Sequence, residues 1–160
     1  YSEPGRGAAF HIVLPRFQAA QVECQAAERE APKGREMVLL VDDEAVLLDV
    51  GEKILGSLGY RVTATGSPVE ALEMFKKNPA AFDFVITDQT MPQLTGYELA
   101  QRLMEIRADI PVILCTGYSD LVTAESALAR GIKAFVIKPL NRVALAETIR
   151  RVLDKPETLP

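Results

Sequence analysis

The spacing of apolar residues along this chain changes period repeatedly, and each change marks an element. Met37 to Val41 is an unbroken apolar run, which predicts a strand buried on both faces. Leu47, Val50, Ile54, Leu55 and Leu58 then recur at helical spacing and stop at Gly59, predicting a helix. Arg61 to Thr65 is a β-branched run and a second strand. Ser67-Pro68 can cap and open a second helix, with Glu70 placed as the acid of a capping box and Leu72, Met74 and Phe75 along it. Phe82 to Thr87 reads as a third strand. Gly96 to Arg107 reads as a helix with Leu99, Leu103 and Ile106 inward. Pro111 to Cys115 and Ala134 to Ile137 are the fourth and fifth strands, and helices over about 120–130 and 142–153 flank the fifth.

A strand followed by a helix, five times over, predicts parallel pairing, because each helix must cross a face of the sheet. Right-handed crossovers then give an α/β fold, a doubly wound parallel (βα)5 sheet of the flavodoxin-like class with strand order 2-1-3-4-5.

Composition narrows the class of function. The chain has 160 residues, 48% hydrophobic and 25% charged, close to an ordinary globular protein. A formal charge of −4 provides no basic field for nucleic acid. No apolar run reaches the roughly 18 residues of a membrane span, and the N-terminus lacks the pattern of a signal peptide, so a cytoplasmic setting is expected, with no membrane contact by this fragment and membrane association of a longer parent chain left open. The two cysteines, Cys24 and Cys115, lack metal-ligand spacing and read as free thiols. Residues 1–15 are Gly-rich and then apolar, 16–35 read as a linker, 36–154 carry the alternating pattern, and 155–160 form a polar tail. Within the linker, residues 17–31 favour helix but hold one branched aliphatic, Val22, which predicts a solvated segment.

Doubly wound sheets bind ligands outside the carboxyl ends of their strands. Asp42-Asp43 follow the first strand here, Asp88 the third, Thr116 the fourth and Lys138 the fifth. Each residue alone has an ordinary structural reading; Asp43, for example, could cap the helix that starts near Glu44. Their joint placement at one edge is what points to chemistry. Three neighbouring carboxylates repel one another, and a divalent cation resolves the conflict. Mg²⁺ suits hard oxygen ligands and needs only one or two carboxylates. A lysine and a hydroxyl beside them fit phosphoryl transfer, and a carboxylate can serve as the nucleophile.

The segments Val41-Asp42-Asp43-Glu44, Thr87-Asp88-Gln89-Thr90-Met91-Pro92, Gly96, Thr116-Gly117 and Ala134-Phe135-Val136-Ile137-Lys138-Pro139 resemble the response-regulator receiver domain over about residues 36–154. The resemblance implies that Asp88 takes a phosphoryl group from a phosphohistidine on a histidine kinase or histidine phosphotransfer domain. It implies Mg²⁺ held by Asp42, Asp43, Asp88 and the backbone carbonyl of Gln89, with Lys138 holding the phosphoryl group. Thr116 and Phe135 are then the switch, acting on a face made by the last two helices and the fifth strand, and Thr90 and Tyr118 tune hydrolysis. It also implies a cis bond between Lys138 and Pro139. Thr95 departs from the family pattern by replacing an acid often found before the loop glycine.

Residues 1–15, through Gly5-Arg6-Gly7 and the apolar run to Pro15, resemble the end of a histidine-kinase ATP-binding domain. Together the two resemblances imply the C-terminal receiver of a hybrid sensor kinase. The single histidine, His11, lies in an apolar pattern and reads as structural. Two other classes stay open: a protein-interaction module that signals without phosphate, and an aspartyl phosphatase. The latter usually carries a second acid where this chain has Thr90.

Overall fold

The computed structural model describes residues 2–3, 7–8, 30–117 and 131–154. Strands β1 (Met37–Val41), β2 (Arg61–Thr65), β3 (Phe84–Asp88), β4 (Val112–Thr116) and β5 (Ala134–Ile137) form one sheet in the order β2-β1-β3-β4-β5. Every pairing in it is parallel. This is the predicted 2-1-3-4-5 order. Asp88 and Thr116 close β3 and β4 instead of following them, because both still pair, Asp88 with Cys115 and Thr116 with Ile137. Near the N-terminus, Ser2–Glu3 and Gly7–Ala8 form a short antiparallel ladder. The apolar run Phe10 to Leu14, His11, Cys24, Tyr118, the helix expected over 120–130 and the tail 155–160 lie outside the described residues.

Alternation along the strands sends side chains to two cores. Leu39, Val41, Val85, Val112 and Leu114 pack under helices α2 (Pro68–Lys77) and α3 (Gly96–Ile106) with Leu72, Phe75, Leu99 and Leu103. Val38, Leu40, Phe84, Ile86 and Ile113 pack under α1 (Ala45–Ser57) and α4 (Arg142–Leu153) with Leu55, Leu145 and Ile149. Each fully buried Leu or Phe contributes about 1.5–3 kcal/mol of transfer free energy, so the two cores hold the strand ends at a common edge.

Three expectations need correction. Ile106 is 39% exposed at the last position of α3, and Ile110, beyond the turn, is buried instead. Val50 is 41% exposed because Gly51 takes the inward position; a Cβ on Gly51 would stand 3.0 Å from Leu40 Cδ2. Ser67 does cap α2 by accepting the Glu70 N–H, but the Glu70 carboxylate accepts the Thr65 hydroxyl and leaves the box open. The complete box is on α3: Thr95 Oγ1 accepts the Glu98 N–H, and Glu98 Oε2 accepts the Thr95 N–H at 2.9 Å. Thr95, at a position where an acid is common, is thus the cap of the helix behind Asp88.

Candidate functional site

The carboxyl ends of β1, β3, β4 and β5 bring together residues far apart in the chain. Asp42, Asp43 and Asp88 place a carboxylate oxygen each within 4.8 Å of the others. Asp42 and Asp88 are 6% and 7% exposed, whereas Asp43 faces solvent. Neighbouring peptides aim the buried pair. Asp42 Oδ1 accepts the Glu44 N–H at 3.0 Å, and the Asp42 N–H donates to the Thr65 carbonyl at 3.3 Å. Asp42, and not Asp43, therefore makes the turn into α1, and no side chain caps that helix. Asp43 is left to the site. Asp88 Oδ2 accepts the Thr90 N–H at 3.1 Å.

Lys138 lies between the two buried acids. Its Nζ is 2.8 Å from Asp42 Oδ2 and 2.8 Å from Asp88 Oδ1. Its N–H donates to the Thr116 carbonyl at 2.9 Å, and the Lys138–Pro139 bond is cis, as the resemblance implies. Burial alone would lower the lysine pKa; the hydrogen bonds and charge of Asp42 and Asp88 outweigh it and hold the ammonium above its ordinary value. Cys115, on β4 beside Asp88, has its thiol pushed up to about 12, first by burial and then by the Asp88 and Asp42 charges against an opposing effect of Lys138. It stays a thiol and offers no soft ligand.

The remaining predicted residues fall around this centre. Thr116 is buried, and its Oγ1 has no hydrogen-bond partner among the described residues. Phe135 pairs with Leu114 and is half-buried against the α2/α3 core. Thr90 is exposed beside Asp88. The Gln89 N–H donates to the Cys115 carbonyl at 2.9 Å, and the Gln89 carbonyl accepts the Gly96 N–H at 3.0 Å, which leaves it one lone pair. Gly96 matters for a reason invisible in the sequence: a Cβ there would collide with the Asp88 carbonyl. Only glycine lets the N-terminus of α3 lie so close to the Asp88 backbone. The Thr90 N–H on Asp88 was equally hidden, since main-chain donors carry no side-chain signature.

The donor set consists of hard oxygens, two buried and one open to water, with no imidazole and no thiolate. Such a set fits a small hard divalent cation that keeps part of its water. The lysine balances part of the carboxylate charge, and the Thr116 hydroxyl, without a partner among the described residues, is available to an incoming oxygen.

The response regulator receiver domain family matches residues 38–150. Over 98% of its length the chain is 34% identical to the sensor kinase CckA of Brucella abortus, of which it covers 18%. A receiver domain protein from Clostridium thermocellum superposes with a TM-score of 0.72 at 30% identity, over 74% of this chain and 94% of that one. A chain from the CheX-CheY-BeF3-Mg²⁺ complex of Borrelia burgdorferi superposes with a TM-score of 0.70 at 27% identity, over 75% and 90% of the two chains. The chain spans less than half the length of the curated relatives it matches first.

Proposed function

The chain belongs to the response regulator receiver family of two-component systems, and from that premise we propose that Asp88 accepts a phosphoryl group from a phosphohistidine on a histidine kinase or histidine phosphotransfer domain. The observation that carries this reading is the Lys138 ammonium held 2.8 Å from both Asp42 and Asp88. It presents one cation to the nucleophile and to the acid beside it.

An Asp88 carboxylate oxygen attacks phosphorus as the P–N bond to the donor imidazole breaks, and the electron pair stays on the departing nitrogen. Lys138 then exchanges a carboxylate for a phosphoryl oxygen, where a fixed positive charge is worth most. The Thr116 hydroxyl, buried at the end of β4, donates to another phosphoryl oxygen. Mg²⁺, held by Asp42, Asp43 and Asp88, would neutralise the carboxylates and the transferring oxygens. Its backbone ligand would be the second lone pair of the Gln89 carbonyl or the next carbonyl, that of Thr90, whose N–H already lies on Asp88. The Mg²⁺ in the Borrelia complex supports this choice of ion.

The switch follows from the same contacts. With Thr116 drawn to the phosphoryl group, Phe135 shifts on β5, and the readout falls on β5, α4 and the segment 120–130. Such a change shifts an existing equilibrium. Thr90 and Tyr118 set the lifetime of the phosphorylated state. Similarity to a sensor kinase over nearly the whole chain supports a hybrid-kinase parent, with 1–15 the end of its ATP-binding domain, 16–35 a linker, 36–154 the receiver and 155–160 a tail. No helix among the described residues is long and apolar enough to cross a membrane; the proposed setting is cytoplasmic. The test is incubation with Mg²⁺ and acetyl phosphate. One phosphoryl group should add to the wild type and none to Asp88→Asn. An unmodified wild type that still binds beryllofluoride would redirect the search to the donor, and one that does neither would favour a phosphate-independent interaction module.

A further inference from the structure

The opposite end of the sheet carries a second constellation. β1 runs about 16 Å between its two ends, at ~3.3 Å per residue. At its start the chain arrives through residues 30–36, which are irregular in structure, with Ala31 buried and Pro32, Gly34 and Glu36 half-buried. Ala31 is 4% exposed and belongs to the α1/α4 core with Leu55, Leu58 and Tyr60. The Gly34 N–H donates to the Leu58 carbonyl at 3.0 Å. Gly34 lies against the Tyr60 ring so closely that a Cβ would collide with it. Gly59, at φ +94°, leaves room for the Gly34 carbonyl; a Cβ there would stand 2.5 Å from that oxygen.

Arg150, on α4, closes the arrangement. Its guanidinium lies 5.6 Å from the centre of the Tyr60 ring, and its Nη2 is 2.7 Å from Glu36 Oε1. The other Glu36 oxygen accepts the Arg35 N–H at 2.7 Å. Tyr60 in turn packs edge-on against Phe84 of β3, with ring centres 5.6 Å apart. A cation over an aromatic face that also holds a carboxylate is a three-way contact, more specific than a surface ion pair.

We propose that residues 31–36 are a fixed strap on the receiver, clamped by Arg150 through Glu36 and Tyr60, so that the receiver itself sets the direction in which the upstream chain reaches it. The receiver's structural unit then includes Ala31 to Arg35, within what the sequence reads as linker. Ala31 is the buried contact point, and at Gly34 the Tyr60 ring leaves no room for a Cβ.

Amide hydrogen exchange on the full chain, resolved by NMR, tests this. In the wild type the Gly34 amide should exchange at least about tenfold slower than an unprotected amide. Arg150→Gln should raise its exchange by at least about tenfold while the Ile86 amide in β3 is unchanged. The charge swap Glu36→Arg with Arg150→Glu should restore protection. An unprotected Gly34 amide in the wild type overturns the strap, and no change in Arg150→Gln overturns the clamp. Should Arg150→Gln fail to fold, Glu36→Ala removes the same ion pair from the other side and is read in the same way. Labelling of Asp88 by acetyl phosphate in these variants is a separate readout, so the strap and the phosphoacceptor can fail independently.

Discussion

Lys138 Nζ lies 2.8 Å from Asp88 Oδ1, joining the end of the fifth parallel strand to the end of the third across the strand between them. The same ammonium holds Asp42 at the same distance. A bound divalent ion would therefore compete with Lys138 for carboxylate oxygens, and an arriving phosphoryl group would give Lys138 somewhere better to go.

This competition has a measurable consequence. Lys138→Met keeps the stem and removes the charge. Mg²⁺ should bind several-fold more tightly to the variant, because two carboxylates are freed, while transfer from acetyl phosphate should slow by about 10²-fold. The chain has no Trp, so calorimetry is the natural measure of metal binding. Equal transfer rates in the variant and wild type would remove Lys138 from the chemistry.

The approach of α3 to the Asp88 backbone separates a steric role from a capping role. Gly96→Ala must displace either the helix or the Asp88 carbonyl, and should cost about 1–3 kcal/mol and also slow phosphorylation. Thr95→Ala removes the cap hydroxyl and should cost about 1 kcal/mol with Asp88 still reactive. Urea unfolding and acetyl phosphate labelling of both variants read the two effects; identical labelling in Gly96→Ala and wild type would refute the positional role of Gly96.

Much of this arrangement was legible in the sequence, for a physical reason. Strand and helix periods are local, and five apolar runs separated by helical stripes fix which residues stand at strand ends. Asp42, Asp88, Thr116 and Lys138 could therefore be placed at one edge. What stayed hidden depends on contacts between segments or on main-chain groups. Glu70 turned to Thr65 because β2 brings that hydroxyl within reach, and Val50 yielded to Gly51 because α1 packs closely on Leu40. The seating of Ala31 is hidden in the sequence because one small residue in a polar stretch leaves no periodic trace.

Acid should weaken the strap from one side. Burial alone would raise the Glu36 carboxyl, but Arg150 and the Arg35 N–H hold it below its usual range. A depressed folded pKa stabilises above the unfolded value of about 4.3 and loses that stabilisation as pH falls through the folded one. The stability difference between wild type and Glu36→Gln should thus be full at neutral pH and shrink below about pH 4. Denaturant titrations at several pH values check this; a difference that does not vary with pH would contradict it.

Cys115 should be chemically silent in the folded protein. With its thiol pushed up to about 12 by burial, the thiolate is scarce at pH 8. Iodoacetamide followed by peptide mapping should leave Cys115 unmodified under native conditions and label it in denaturant. Rapid native labelling at Cys115 would mean that the strand beside Asp88 opens readily.

Phosphorylation of Asp88 can be tested at a single residue. Treat the chain with acetyl phosphate in the presence of Mg²⁺, reduce the acyl phosphate with borohydride, and map the product by peptide mass. One reduced residue is expected, Asp88, whose labelling disappears on chelation and is absent from Asp88→Asn. Reduction at Asp42 or Asp43 instead, or at Asp88 with the metal removed, would contradict it.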